Sequence, residues 1–265
     1  MLAIYQYFGY DLPIQERFRK IKAAGFDAVG LWSKADWLGE ESNRRQQAAY
    51  ARNAGLHVIA GHAPRNLEFV DAIWLDNLDG QETYETYRRT IEICGEGGIK
   101  HLVFHVETDR NTPPPNELGI QRIQKLLDFA QSHNVTLALE HIRNHRYLTY
   151  VFERIASPNL RFCYDSGHQN CNEPEIDLLS LFGDKLEALH LHDNDGQRDQ
   201  HLPPFKGTID WQEKMEKIAS LGYRGPIALE CAMRRTKDIP PVEQWLEHAH
   251  AAAQKLEAML LDSKQ

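Results

Sequence analysis

The chain has 265 residues, 42% of them hydrophobic, and a formal net charge of −8. That length suits an α/β barrel kept as one unit, the apolar share supports a sizeable core, and the acidic balance provides no global basic footprint for nucleic acid. The amino terminus, MLAIYQYFGYDLP, lacks a basic n-region and a long apolar segment, and no run approaches the ~18 apolar residues of a membrane span.

Short β-type runs alternate with longer helical patterns throughout. LAIYQYF (2–8) reads as a strand and IQERFRKIKAAG (14–25) as a helix stopped by Gly25. FDAVGLW (26–32) is the second strand, and ESNRRQQAAYARNAG (41–55) the second helix, again ended by glycine. LHVIAGH (56–62) precedes the helical TYETYRRTIEICGEGG (83–98), and IKHLVFH (99–105) precedes LGIQRIQKLLDFAQSHN (118–134). TPPP (112–115) is a loop within that fourth unit. VTLALEH (135–141) is followed by a helix at LTYVFERIA (148–156), and LRFCYDS (160–166) by a short helix at IDLLSLFG (176–183). LEALHLH (186–192) leads to WQEKMEKIASLG (211–222), and PIALECA (226–232) to a final helix within 242–261. Strands joined by crossover helices pair in parallel, and eight such units without a linker predict one (β/α)8 TIM barrel spanning residues 1–265.

In such a barrel the functional residues stand at the carboxyl ends of the strands. Strand three ends in His62, and strand four in His105, with Glu107 just beyond. Strand five ends in Glu140 and strand six in Asp165, with His168 three residues on. Strand seven carries His190, its loop carries Asp199 and His201, and strand eight ends in Glu230. Glu140 follows LAL and Glu230 follows IAL, so each carboxylate interrupts apolar sequence. Burying an unpaired carboxylate costs several kcal/mol, and a divalent cation is an effective partner for several that converge. Asp199 and His201 are two apart and face one way in an extended loop. His192 is assigned a structural role, on the face opposite His190. Cys94, Cys163, Cys171 and Cys231 form no C-x-x-C pair and read as small buried residues, which predicts a cytoplasmic protein with reduced thiols.

LALEH (137–141), YDSGH (164–168), LHLHDN (189–194), DQHLPP (199–204), GTIDW (207–211) and IALE (227–230) occur in that order on those strands. With these motifs the chain resembles the xylose isomerase-like TIM-barrel superfamily, which includes sugar isomerases and epimerases and the endonuclease IV family. The resemblance implies a central metal held by Glu140, Asp165, His190 and Glu230. Such an oxygen and nitrogen set suits Zn²⁺ or Mn²⁺, with Mg²⁺ or Co²⁺ also compatible. It further implies additional metal ligands at His62, His105, His168, Asp199 and His201, the remaining positions of a trinuclear zinc site in endonuclease IV. Members often read PPG-x-G-x-I-D-W, whereas this chain reads PPFKGTIDW (203–211), with Phe205 in place of the first glycine and Lys206 following it.

Two chemistries follow from the resemblance. The preferred one is a metal-dependent isomerase or epimerase of a sugar, sugar phosphate or polyol, with Glu140 and Glu230 moving a proton next to a carbonyl. His168, Arg143 and Lys206 are its candidate substrate contacts, and Tyr5, Tyr7, Phe8 and Trp32 stand near the first strand ends as an apolar wall or as core. The alternative is an endonuclease IV-like zinc phosphodiesterase acting on abasic DNA. Against it, RNLE (65–68) and RNHR (143–146) are the nearest approaches to a basic gripping loop, so a nucleic-acid partner is not expected. No membrane partner is expected either, and homo-oligomerisation is left open.

Overall fold

The computed structural model describes residues 1–32, 41–64, 70–108, 111–233 and 238–263. RNLE (65–68) falls outside the described residues. Eight strands form one parallel sheet: β1 (Leu2–Tyr5), β2 (Ala28–Trp32), β3 (His57–His62), β4 (His101–Phe104), β5 (Thr136–Glu140), β6 (Leu160–Asp165), β7 (Leu186–His190) and β8 (Ile227–Leu229). Neighbours in sequence are neighbours in space from β1 to β7, and β8 pairs back onto β1. A parallel bridge between Leu191 and Leu229 closes the ring. There Leu191 N donates to Ala228 O at 2.9 Å and Glu230 N to Leu191 O at 3.1 Å. The chain is a TIM barrel, as its alternating pattern predicts.

The helices α1 (Ile14–Ala23), α2 (Glu41–Asn53), α3 (Leu78–Glu96), α4 (Glu117–Ser132), α5 (His145–Arg154), α6 (Ser166–Asn172), α7 (Leu178–Phe182), α8 (Trp211–Ser220) and α9 (Val242–Asp262) lie between and after the strands. Several begin where a side chain satisfies a free backbone N–H. Asn77 accepts from Gly80 N at 2.9 Å, which starts α3 earlier than the periodicity predicts, and Asn116 accepts from Gly119 N at 3.1 Å. Strands are shorter than predicted: β1 ends at Tyr5 rather than residue 8, and β6 passes directly into α6, whose amino end Asp165 caps by accepting from His168 N at 2.7 Å.

The main core lies between the sheet and the helices, built from residues such as Ile4, Phe18, Val29, Leu102, Leu139 and Leu246. Inside the barrel the packing is thinner. Ala3, Ala28 and Ala228 form one small cluster with Ile59, and Val103, Ala138 and Cys163 another with Ala188. Barrel interiors are usually filled by bulky branched side chains.

Gly30 pairs with Tyr5 across β1 and β2, and a Cβ on Gly30 would stand 2.5 Å from the Tyr5 ring. Overpacking of this kind costs about 1–3 kcal/mol. Gly30→Ala is expected to lower the urea midpoint accordingly at unchanged m; a variant as stable as the parent would show that Tyr5 is free to move.

Candidate active site and metal centre

At the carboxyl end of the barrel, registers β5–β6 and β6–β7 set Glu140 beside Cys163 and Asp165 beside His190. Glu140, Asp165 and His190 are fully buried and Glu230 is 5% exposed. Ligand atoms of Glu140, Asp165, His190 and Glu230 all lie within 4.8 Å of one another. The His190 Nδ1 is 2.9 Å from Glu140 Oε1 and 3.2 Å from Glu230 Oε2, while its Nε2 is 2.7 Å from the Tyr5 hydroxyl.

Two further groups flank this centre. On one side the Nε2 atoms of His62 and His105 are 3.2 Å apart, and each is 3.3 Å from Glu140 Oε2. The His62 ring stacks on Trp32 at 4.4 Å. On the other side Asp199 Oδ2 is 3.5 Å from His168 Nε2 and 3.3 Å from His201 Nε2. Every candidate ligand read from the sequence therefore reaches one contiguous cluster.

Three of these histidines have their tautomer fixed by the backbone. His62 Nδ1 donates to Ala63 O at 2.7 Å, His168 Nδ1 to His141 O at 2.9 Å, and His201 Nδ1 to Glu230 O at 2.6 Å. Each ring thereby turns Nε2 toward the carboxylates, an arrangement that orients metal-binding imidazoles. The charges reinforce the point. Burial alone would raise the Glu140 and Glu230 carboxyls, but His190 and its neighbouring histidines hold both well below the usual carboxylate range. Burial would likewise lower the imidazoles, yet Asp165 and Asp199 push His168 up to about 10, and Asp199 pushes His201 up to about 9. His190 is raised well above its ordinary value against the same burial, beside Cys163, Glu140 and Glu230. The buried Glu230 Oε1 has no hydrogen-bond partner among the described residues. An electronegative cluster with a mixed oxygen and nitrogen donor set and Nε2 atoms turned inward fits a divalent cation, and it has groups for more than one.

His192 corrects an expectation. Residues two apart in an extended segment share a face, so His192 points inward with His190. Its Nε2 lies 3.0 Å from Asp165 Oδ1 and 3.9 Å from Asp199 Oδ1, and its ring stacks on His201 at 3.9 Å. Gly167 makes room for it, since a Cβ there would stand 1.9 Å from the ring. The spacing to His190 was the signal available for this. Phe8 belongs to the core, stacked on Trp245 at 5.6 Å, whereas Tyr5 and Trp32 touch the cluster. Arg143 is exposed at the same mouth, with Nε 3.2 Å from Thr108 O and a terminal nitrogen 3.0 Å from Asn172 Oδ1. Lys206 is exposed on the β7–α8 loop. Beside it Phe205 takes φ +70°, the left-handed conformation natural to the glycine it replaces.

Two carboxylates around the mouth have partners that sequence reading does not supply. Glu107 was visible at the end of strand four, but nothing marked its partners: its Oε1 accepts from Ile142 N at 2.7 Å, Arg143 N at 2.6 Å and Asn144 N at 3.4 Å. Glu173 joins His141 Nε2 at 2.8 Å and His145 Nδ1 at 3.0 Å, which overcome its partial burial and bring it down to about 2. Both fasten the loop that carries Arg143. A buried donor left without its acceptor costs about 1–3 kcal/mol. Glu107→Ala is therefore expected to lower stability by about 2–3 kcal/mol in urea unfolding and to raise hydrogen exchange at 142–144, with Glu107→Gln, which keeps an acceptor oxygen, much milder. Equal stability of Glu107→Ala and the parent would remove Glu107 from this role.

The profile of the family described as xylose isomerase-like TIM barrel matches residues 18–256. An uncharacterized protein of Sinorhizobium fredii is 31% identical over 96% of this chain and 92% of its own length. Fructoselysine 3-epimerase of Shigella flexneri is 23% identical, covering 83% of this chain and 85% of its own. Among solved structures, D-psicose 3-epimerase with D-tagatose from Clostridium cellulolyticum superposes with a TM-score of 0.77 at 15% identity, over 97% of this chain and 98% of that one. With the fold, the strand-end residues and the family profile in agreement, the chain belongs to the xylose isomerase-like TIM-barrel family.

Proposed function

We propose that the protein is a divalent-metal-dependent isomerase or epimerase of a sugar or sugar phosphate that moves a proton next to a carbonyl. The observation that carries this reading is the pair Glu140 and Glu230, brought from non-adjacent strands to 2.9 and 3.2 Å from one atom, His190 Nδ1. Two carboxylates facing one reaction point supply a base on one side and an acid on the other. The names of the relatives, a fructoselysine 3-epimerase and a D-psicose 3-epimerase, support the same class.

In this reading Glu140, Asp165, His190 and Glu230 hold the cation, Zn²⁺ or Mn²⁺ with Mg²⁺ and Co²⁺ also suited to the donors. When bound, the cation supplies Lewis-acid stabilisation of the charge that develops on the substrate oxygens. One glutamate removes the proton and the other returns it. Tyr5 holds His190 in place through its hydroxyl. His168 and Arg143 bind substrate hydroxyls, Trp32 offers a flat apolar face at the mouth, and Lys206 is placed to meet a substrate phosphate.

A second reading has its own observation. The groups His62–His105–Glu140 and His168–His192–Asp199–His201 adjoin the central one, and apart from His192 they are the additional ligands that the resemblance to endonuclease IV implies. The formal charge of −8 favours the first reading.

Glu140→Gln and Glu230→Gln are each expected to fold normally and to lose at least about 10²-fold in turnover, the scale of general acid–base catalysis. Wild-type protein is expected to exchange solvent deuterium into the carbon next to a ketose carbonyl and not to incise abasic-site DNA. Incision that disappears in His105→Ala and His201→Ala, with no exchange into any ketose tested, would establish the phosphodiesterase instead.

Chelation is expected to abolish activity while the circular dichroism of the barrel persists. Re-addition of Mn²⁺ or Zn²⁺ should raise Tm in a concentration-dependent way, because a ligand of the folded state stabilises it. Elemental analysis then counts the ions per chain. Full activity in protein proven free of metal would falsify the metal-dependent reading.

A further inference from the structure

The alanines inside the barrel leave space. It forms a cavity of about 720 Å³ that opens at the amino-terminal ends of the strands, the mouth opposite the carboxylate cluster. This volume lies within the roughly 300–1,000 Å³ of small-molecule sites. Ile59, Ala188 and Ala228 form part of its wall, and Tyr5 lies at its inner end. The same Tyr5 bonds His190 at 2.7 Å, so one side chain touches both this cavity and the cluster. Ile59 and Ala188, inward-facing residues of mid-sheet, remain partly exposed through this opening.

The rim carries charges of both signs, but they are not equally occupied. Asp27 Oδ2 accepts from Leu2 N at 2.9 Å. Glu187 lies 3.3 Å from Arg161 Nε and 3.5 Å from His101 Nδ1. The Met1 amino group pairs with Glu257 at 2.8 Å. Lys22 and Lys100 also line the opening, are exposed, and have no ion-pair partner among the described residues. An apolar chamber with two uncommitted ammonium groups at its entrance is complementary to a small anion with an apolar body.

We propose that the amino-terminal mouth of the barrel is a second binding site, for a compact monocarboxylate. Its hydrocarbon body enters the alanine-lined chamber below Tyr5, and its carboxylate meets Lys22 and Lys100. The hydrocarbon supplies affinity through burial against Ile59, Ala188 and Ala228, and the lysines supply selectivity for charge. Neither lysine belongs to the carboxylate–histidine cluster, so this site stands whether or not the proposed isomerase chemistry does.

Titration calorimetry of the full, metal-loaded chain with sodium benzoate and with cyclohexanecarboxylate tests it, with benzyl alcohol and inorganic phosphate as comparisons. Saturable binding of the two carboxylates is expected, at least about tenfold weaker in the K22Q/K100Q double variant, a loss of ~1.4 kcal/mol. Benzyl alcohol should bind comparably weakly to wild type. A188L should abolish binding by filling the chamber. The lysine variant, altered only at exposed positions, keeps the test decisive if A188L does not fold. No saturable binding of either carboxylate overturns the proposal. So does phosphate binding as tightly as benzoate, which would indicate an anion site without a chamber. Binding unchanged in both variants would assign the carboxylate to the opposite, metal-binding mouth and overturn it equally.

Discussion

Several carboxylates share one dry space at the barrel mouth, and their mutual charge governs the rest of the arrangement. Glu140 and Asp165 are fully buried, and Glu230 almost so. Each ionised carboxylate taken out of water costs several kcal/mol unless positive charge meets it. In the chain alone that charge comes from imidazolium. His190 sits between Glu140 and Glu230, and His168 and His201 flank Asp199, all three held above their ordinary range by these partners despite burial. On the proposed metal-dependent reading a cation would compete with these ring protons, so its affinity would rise with pH. The backbone carbonyls of Ala63, His141 and Glu230 keep the His62, His168 and His201 rings aimed inward.

Such a cluster holds its geometry only if the loops around it are fastened, and the fastening is by hydrogen bonds to further carboxylates. Glu107 gathers three successive backbone N–H groups of the segment after β5. Asp193 accepts from Trp211 Nε1 at 2.9 Å and from Ile209 N at 3.2 Å, tying the β7 loop to the start of α8. Asp165 both faces the cluster and caps α6, so the helix that carries His168 begins on a residue of the site. Strand ends, loops and helix starts are thus bound into one frame, and displacement of one ligand is resisted by its neighbours.

Much of this was legible in the sequence because carboxylates that interrupt apolar strands stand out from their surroundings. Glu140 after LAL and Glu230 after IAL could be read without a structure, as could the alternation that builds the barrel. Residues whose role depends on a distant partner could not. Glu173 occurs in an ordinary polar stretch, and only the fold brings it to His141 and His145. The alanines that hollow the barrel look like unremarkable strand residues until β1, β2 and β8 close around them. Phe205 shows a third limit. A substitution in a glycine motif suggests a changed loop, yet the residue adopts the glycine conformation, at about 1–2 kcal/mol for an L residue. Its contacts with Trp211 at 5.9 Å and Lys255 at 5.5 Å offset part of that cost.

If the proposed metal site is correct, the two chemistries weighed for this chain would compete for one oxygen atom. Glu140 Oε1 faces His190 and the central group, while Oε2 faces the Nε2 atoms of His62 and His105 at 3.3 Å each. A carboxylate that serves cations through both oxygens has little basicity left to take a proton. With only the central group loaded, Oε2 keeps that capacity, and the neighbouring imidazoles tune it or contact substrate. Glu230 meets His190 through Oε2 at 3.2 Å, and its Oε1, like Oε2 of Glu140, has no hydrogen-bond partner among the described residues. On the proposed readings, occupancy of the His62–His105 side would be the physical variable that separates proton transfer from phosphodiester cleavage. It would be set by how strongly His105 and His62, which stacks on Trp32 and meets Tyr5 edge-on, attract a second cation next to the first. Like charges a few ångströms apart repel, and the buried carboxylates must compensate two ions instead of one. On the proposed reading, a single ion held by Glu140, Asp165, His190 and Glu230 would leave Oε2 of Glu140 free to exchange a proton, so proton transfer would need fewer ions from the same set of side chains.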